Sequence, residues 1–130
     1  MEGIHLTADI SECTEGVEEM NNIDKLKETC LTMVQINQLK PVESVFHKFE
    51  PSGITGVVLL AESHLAIHTW PEILSVTFDV YVCNFSMNNE SKAISLMQSL
   101  FNIFGPMKIN QQKINRGAST SKNIYVPGGV

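Results

Sequence analysis

Apolar and polar residues alternate along much of the chain, a pattern that predicts β-strands. Alternation is clearest in residues 74–83, where four apolar residues at every second position share one side of the predicted strand. Residues 54–61 form a continuous β-branched, apolar run that is typical of a central strand. In all, the patterns predict six strands, at residues 3–9, 42–49, 54–61, 64–70, 74–83 and 107–114.

Two segments instead repeat their apolar residues at steps of three and four, which predicts amphipathic helices. The first covers residues 23–39, with Asn22 as a plausible N-cap and Pro41 as a stop. The second covers residues 90–104 and ends at Gly105. Its expected buried stripe comprises Ile94, Met97, Leu100, Phe101 and Phe104. The polar, acidic residues 11–22 are predicted to be a loop.

The resulting order, β-α-β-β-β-β-α-β, predicts an α+β fold. We expect a two-layer α/β sandwich in which a mostly antiparallel sheet carries both helices on one face. The other face of the sheet then needs solvent or a partner. Residues 1–117 are predicted to form one domain, and the small, Gly-rich segment 118–130 is predicted to be a flexible tail.

Composition narrows the classes of function. The 130 residues suffice for one domain with a real core, and the net charge of −5 argues against binding nucleic acid or anionic membranes. No apolar run is long enough to span a membrane, and the N-terminus lacks the pattern of a secretory signal. Three widely spaced cysteines without a C-x-x-C pair favour a reducing, cytoplasmic location.

Residues 60–72, LAESHLAIHTWPE, concentrate the reactive side chains. His64 and His68 would share one face of a helix and could bind a metal ion there, but Pro71 and the β-branched neighbours favour a strand. No third ligand stands at a recognisable spacing, so no metal is predicted. Ser63 lacks the G-x-S-x-G surroundings of an α/β-hydrolase nucleophile.

Self-processing is a third interpretation of the same segment. A serine hydroxyl can attack the carbonyl of the preceding residue, and the resulting ester can lose the preceding peptide by β-elimination. Hydrolysis of the dehydroalanine that remains gives a pyruvoyl group and ammonia. The route needs a strained peptide, an oxyanion stabiliser and a base, and Glu62, His64 and His68 lie near Ser63 in the sequence. The residues alone do not choose this interpretation, because Ser-His pairs are common on protein surfaces.

Several motifs, in one order, resemble the short prokaryotic form of the S-adenosylmethionine decarboxylase family. The main one is ESHL followed by IHTWPE, at residues 62–72. The others are H-L-x-A-D at 5–9, F-H-x-F-x-P-x-G-x-x-G-V at 46–57, D-V-x-x-C at 79–83, and Arg116-Gly117. The resemblance covers about residues 3–117, and the family's fold agrees with the predicted order of elements.

The resemblance implies how the enzyme would mature. Cleavage between Glu62 and Ser63 would give chains of residues 1–62 and 63–130, and Ser63 would become the pyruvoyl group that forms a Schiff base with the substrate. His68 would assist processing. Thr55 stands where the family usually has a serine that stabilises the intermediate, so it keeps the hydroxyl and adds a methyl group.

The resemblance also implies substrate contacts. Cys83 would return a proton to the substrate α-carbon after carbon dioxide leaves, Phe49 would stack on the adenine, and Glu72 would bind the ribose hydroxyls. Neither pyridoxal phosphate nor a metal would be needed. The product would be the aminopropyl donor for spermidine synthesis. His5 and His47 are expected to be ordinary histidines, satisfied or half-exposed.

The family implies a homodimer of processed αβ units. Ser63 and Cys83 would come mainly from one protomer, and Phe49, Thr55, His68 and Glu72 mainly from the other.

Two alternatives to this function stay open. Relatives with this motif can act on arginine or ornithine, and residues 32–39, Asn84 and the acidic segment 12–19 depart from the common family pattern. An unprocessed regulatory relative is the other alternative, although the joint presence of Ser63, His68 and Cys83 argues against it.

Overall fold

The computed structural model describes residues 2–84 and 88–117, and six strands in this part of the chain form one sheet. All neighbouring strands are antiparallel, in the order β2-β3-β4-β5-β1-β6. The strands are β1 (Gly3–Cys13), β2 (Pro41–Lys48), β3 (Ile54–Leu60), β4 (Ser63–Trp70), β5 (Ser75–Cys83) and β6 (Pro106–Arg116). Each of the six predicted strands is confirmed.

Three α-helices lie within the described residues: α1 (Val17–Asn21), α2 (Ile23–Ile36) and α3 (Glu90–Phe104). A single 3-10 turn, Pro71–Ile73, joins β4 to β5 in the same described part. Helix α2 begins after Asn22, whose side-chain oxygen accepts a hydrogen bond from the Lys25 amide at 3.0 Å, as predicted. Helix α3 ends at Gly105, which adopts the left-handed conformation with φ 53°.

The prediction of a loop at residues 11–22 is wrong. Strand β1 continues to Cys13 because it pairs with β6 as far as Pro106. Gly16, with φ 69°, then starts the short helix α1, in which Met20 is fully buried. A helix of five residues is too short to show a 3.6-residue period, so the order of elements gains one helix.

The predicted buried stripe of α3 is wrong at Ile94, whose side chain is 49% exposed. The buried residues of this helix are Ala93, Leu96, Met97, Leu100 and Phe104. These positions keep the same steps of three and four, but the stripe begins one residue earlier, at the small Ala93. Ile94 therefore points to the side of the helix that faces away from the sheet.

The core lies between the helices and one face of the sheet. Helix α2 packs on β2 and β3, and α3 packs on β1 and β5. Along β5, Val76, Phe78, Val80 and Val82 point into this core and are buried, while the residues between them are half-exposed on the opposite face. We call that opposite face the uncovered face. The α+β sandwich with helices on one face is confirmed.

No helix in the described ranges, 2–84 and 88–117, combines the length and the hydrophobicity needed to cross a membrane. The predicted tail, residues 118–130, lies outside the described residues.

Candidate active site

The tight hairpin between β3 and β4 contains the Glu62–Ser63 peptide bond, which the family resemblance implies to be a cleavage site. Leu60 pairs with Ser63, so the loop consists of Ala61 and Glu62 alone. Glu62 adopts a left-handed backbone conformation with φ 58°. This conformation costs a residue with a β-carbon about 1–2 kcal/mol relative to the right-handed region. The backbone immediately before Ser63 is therefore strained, as the self-processing chemistry requires.

The Ser63 hydroxyl is held by the end of β5. Its Oγ accepts a hydrogen bond from the Cys83 backbone amide at 3.2 Å. The Cys83 side chain is only 5% exposed, and its backbone carbonyl accepts a hydrogen bond from the Asn89 side-chain amide at 2.8 Å. A cavity of about 300 Å³ lies beside Ser63, and its lining also includes Glu62, Cys83 and Asn89. We call this group the Ser63 end.

A second group of predicted site residues lies at the other end of the same strands. Thr55 of β3 pairs with His68 of β4, and a hydrogen bond of 2.9 Å joins the Thr55 Oγ1 to the His68 Nδ1. The His68 ring lies 6.1 Å from the Trp70 ring, measured between ring centroids. The threonine that replaces the family's usual serine thus retains a hydroxyl in contact with the histidine.

Phe49 and Glu72 border the same region. The Glu72 Oε2 accepts a hydrogen bond from the Ser52 hydroxyl at 2.8 Å, which ties the carboxylate to the turn after β2. The Phe49 amide closes that turn by donating to the Gly53 carbonyl at 2.8 Å, and the Phe49 ring is 49% exposed. A cavity of about 400 Å³ is lined by Phe49, Thr55, His68, Trp70 and Glu72, among others. We call this group the His68 end.

The two ends do not meet within one chain. Ser63 and His68 are five residues apart on an extended strand, which separates them by about 16 Å. For the same reason His64 and His68 stand about 13 Å apart, so they cannot bind one metal ion together. The compact motif in the sequence is therefore spread along a strand, and it contributes to two different places.

A polar group on the uncovered face was not predicted from the sequence. His5 and His64 each form a hydrogen bond of 2.8 Å from Nε2 to the same Asp79 oxygen, Oδ2. Arg116 contacts the other ring nitrogen of His5 at 2.9 Å. The alternating pattern puts these residues on one face, but nothing in the sequence gives the register that brings His5 to Asp79, 74 residues later. The expectation that His5 is a satisfied histidine is confirmed.

The other two cysteines belong to neither end. Burial raises the pKa of the Cys30 thiol to about 12 and also raises the pKa of Cys13. Both are free and buried, so each is a neutral thiol that packs in the core.

Comparisons with known proteins agree with the motifs. Residues 4–117 match the family described as S-adenosylmethionine decarboxylase. The S-adenosylmethionine decarboxylase proenzyme of Aquifex aeolicus is 37% identical over 117 residues, which cover 88% of this chain and 81% of that protein. The corresponding protein of Persephonella marina is 34% identical over 117 residues, with 88% and 82% covered.

Solved structures agree with the fold. The crystal structure of the Aquifex aeolicus adenosylmethionine decarboxylase superimposes with a TM-score of 0.81 at 32% identity, covering 95% of this chain and 97% of that one. A Trypanosoma brucei AdoMetDC-delta26 monomer shares the fold at 12% identity, with a TM-score of 0.56 over 85% of this chain and 44% of that one.

Proposed function

Because the chain belongs to the S-adenosylmethionine decarboxylase family, we propose that it decarboxylates S-adenosylmethionine after cleaving itself between Glu62 and Ser63. The product would be the aminopropyl donor for spermidine synthesis. The observation that carries the proposal is the strained hairpin at Glu62, with the Ser63 hydroxyl fixed against the end of β5.

The residues around the hairpin suit the proposed cleavage. The Ser63 Oγ attacks the Glu62 carbonyl carbon, its proton passes to the Ser63 nitrogen, and an ester replaces the peptide bond. Elimination then releases residues 1–62 with a Glu62 carboxylate, and hydrolysis with loss of ammonia leaves a pyruvoyl group at residue 63. The left-handed conformation of Glu62 raises the energy of the uncut peptide. The hydrogen bond from the Cys83 amide restricts the attacking oxygen to one position.

A pyruvoyl group at residue 63 fits this surrounding. A cavity borders the residue, so a substrate can approach from that side. When present, the group supplies an electrophilic carbonyl and an electron sink without an added cofactor, so neither pyridoxal phosphate nor a metal is needed. Cys83 lies at the same cavity, and its thiol is the residue that we propose returns a proton to the substrate α-carbon.

We assign substrate recognition to the His68 end. The Phe49 ring is exposed beside a cavity and can stack on an adenine, and Glu72 can accept hydrogen bonds from ribose hydroxyls. The Ser52 hydroxyl already orients the Glu72 carboxylate. The neighbouring aromatic faces of Phe49 and Trp70 suit a sulfonium cation, by a cation–π contact worth about 0.5–2 kcal/mol.

A homodimer would bring the Ser63 end of one protomer next to the His68 end of the other. His68 and Thr55 are proposed to assist processing, yet within one chain they lie about 16 Å from Ser63. Both lie on the uncovered face of the sheet, which carries half-exposed side chains and against which no helix within residues 2–84 and 88–117 packs. If two such faces pack together around a two-fold axis, the Ser63 end of each protomer can meet the His68 end of the other. We therefore propose two composite sites for each pair of processed αβ units.

The proposed cellular location and domain boundary depend on two other observations. The three cysteines are free, which agrees with a reducing cytoplasm. We take residues 1–117 as the catalytic domain, since the match to the family ends at residue 117.

The test is release of carbon dioxide from carboxyl-labelled S-adenosylmethionine, arginine and ornithine in parallel. We expect release from S-adenosylmethionine alone, and loss of this activity in Glu72→Gln through a higher KM. Activity only on arginine or ornithine would overturn the substrate assignment. A single uncleaved band on a denaturing gel, without carbon dioxide from any substrate, would favour a regulatory role instead.

A further inference from the structure

Four side chains, one from each of four neighbouring strands, form a continuous chain of hydrogen bonds across the uncovered face. The Arg116 guanidinium of β6 donates to His5 of β1 at 2.9 Å. His5 contacts Asp79 of β5 at 2.8 Å, and the same oxygen contacts His64 of β4 at 2.8 Å. We call these residues the four-strand network. They link β4 to β5, the strand beside it, and through β5 to β1 and β6, the next two strands in the sheet.

The chemistry of the groups fixes the direction of each bond. Arginine can only donate, so the His5 Nδ1 accepts and the His5 Nε2 carries the ring proton. Both histidines therefore donate from Nε2 to the Asp79 carboxylate. The ligand atoms of His5, His64 and Asp79 lie within 4.8 Å of one another, as in a metal site. However, the tautomer of His5 that frees Nε2 for a metal ion carries its proton on Nδ1, where the Arg116 guanidinium already donates, and that guanidinium also opposes a further cation.

The position of the network along β4 gives it a specific use. His64 is the first residue after Ser63, and Ser63 is the first residue of β4. In the uncut chain the two-residue loop to β3 also holds this end of the strand. Cleavage between Glu62 and Ser63 would open that loop at its tip and turn Ser63 into a chain terminus. Chain termini fray unless other contacts hold them.

We propose that the four-strand network anchors the new terminus of β4 after cleavage, with Asp79 as the positioning residue. This inference rests on the proposed self-cleavage. Asp79 holds the His64 ring, and the peptide of His64 is joined directly to the reactive group at residue 63. Leu65, the next residue, is fully buried, so fraying without the network is confined to residues 63 and 64. Those are the residues whose position decides whether the carbonyl faces the substrate.

A comparison of the uncleaved precursor with the processed enzyme distinguishes this role from a general effect on stability. In a precursor that cannot be cleaved, such as Ser63→Ala, the intact loop keeps β4 in place with or without the network. In the processed enzyme only the network and the strand ladder remain. Loss of Asp79 should thus loosen β4 in the processed form and leave the precursor nearly unchanged.

The experiment combines Asp79→Ala with hydrogen exchange measured by mass spectrometry, in the cleavable and Ser63→Ala backgrounds. We expect exchange at the backbone amide of residue 64 to rise by about tenfold or more in the processed form only, and exchange at residues 65–67 to stay unchanged. Loss of one hydrogen bond to a charged group sets the size of the rise. Carbon dioxide release should fall by a similar factor in kcat, with little change in KM, because the substrate contacts lie at the His68 end.

Two further variants sharpen the result. Asp79→Asn removes the charge but keeps a side-chain oxygen that can accept hydrogen bonds. Its effect should therefore be smaller than that of Asp79→Ala, and it serves where the alanine variant does not fold. Asp9→Asn changes a carboxylate on an exposed position of β1 outside the network and should behave as wild type.

Three results would overturn the inference. The first is equal loosening in both backgrounds, which would make the network a general stabiliser. The second is unchanged exchange and kcat in processed Asp79→Ala, and the third is failure of that variant to cleave although it folds. Failure of the proposed function is recognised separately, because the wild-type chain itself would then remain uncut.

Discussion

The Ser63 end and the His68 end of β4 are built from different kinds of interaction. At the Ser63 end, backbone groups dominate: a left-handed residue in a two-residue loop, and an amide that donates to a hydroxyl. At the His68 end, side chains dominate: a threonine–histidine pair, a tethered carboxylate and an exposed aromatic ring. The first arrangement strains a bond, whereas the second can hold a ligand. Neither end contains both functions, and the strand between them keeps them apart.

Removing the hydroxyl at the Ser63 end has the largest expected effect. Ser63→Ala should remain one chain and release carbon dioxide at least about 10⁴-fold more slowly, because it lacks the hydroxyl that attacks Glu62, so no pyruvoyl carbonyl can form at residue 63. A denaturing gel and the labelled-substrate assay check both readouts. Ser95→Ala, a surface change in α3, is the matched control and should cleave normally. Normal turnover by uncut Ser63→Ala would refute the role of this end.

A mixed dimer tests whether the two ends work together across protomers. Ser63→Ala and Glu72→Ala should each be nearly inactive alone. Coexpression should restore about a quarter of wild-type activity, since half the dimers are mixed and each mixed dimer holds one intact site. Carbon dioxide release from the unfractionated dimers gives this measurement, and mixed dimers purified through two different tags should reach about half of the wild-type activity. As a control, two variants of one end, Thr55→Ala and Glu72→Ala, should not complement each other. No recovery in the first mixture would argue that each protomer works alone.

Relieving the strain in the loop has a smaller effect. Glu62→Gly should raise the free energy of unfolding of the uncleavable Ser63→Ala precursor by about 1 kcal/mol, because glycine adopts the left-handed conformation without a clash. In the cleavable chain the same change should slow cleavage. Chemical denaturation and a time course on gels measure the two effects. Glu62→Ala removes the same carboxylate but keeps the strain, so equal behaviour of the two variants would mean that strain has no part.

The smallest effect concerns a thiol outside both ends. Burial raises the pKa of Cys30 to about 12, so at pH 8 its thiolate is scarce and inaccessible. Iodoacetamide should leave Cys30 unmodified in the folded protein and modify it after unfolding, as read by peptide mapping. Rapid labelling of Cys30 in the native protein would show that this part of the core opens readily.

Much of the fold could be predicted from the sequence, because its signals are local. Helix α3 has a full stripe and a Gly-Pro stop, and buried and half-exposed residues alternate in β5 over its first eight residues. Helix α1 could not be predicted, since one turn has no periodicity and its start depends on Gly16 packing against Phe104. Ile94 was assigned to the wrong side because a small alanine, rather than the isoleucine, begins the buried stripe.

The site was predictable only in part, for a similar reason. Residues 60–72 identify the reactive side chains and predict a strand, and an extended backbone places Ser63 and His68 too far apart to cooperate within one chain. The link between Ser63 and Cys83, and that between His5 and Asp79, depend on strand register over long sequence separations. Patterns along a single chain do not contain that register.

Intact mass spectrometry of the purified wild-type protein, with and without a carbonyl reagent, is the sharpest test of the proposed self-cleavage. We expect two polypeptides, residues 1–62 and 63–130. The second should be about 17 Da lighter than a fragment that begins with serine, because ammonia has been lost, and it alone should gain the mass of the reagent. A single mass for the full 130 residues, unchanged by the reagent in a preparation that releases carbon dioxide, would contradict it.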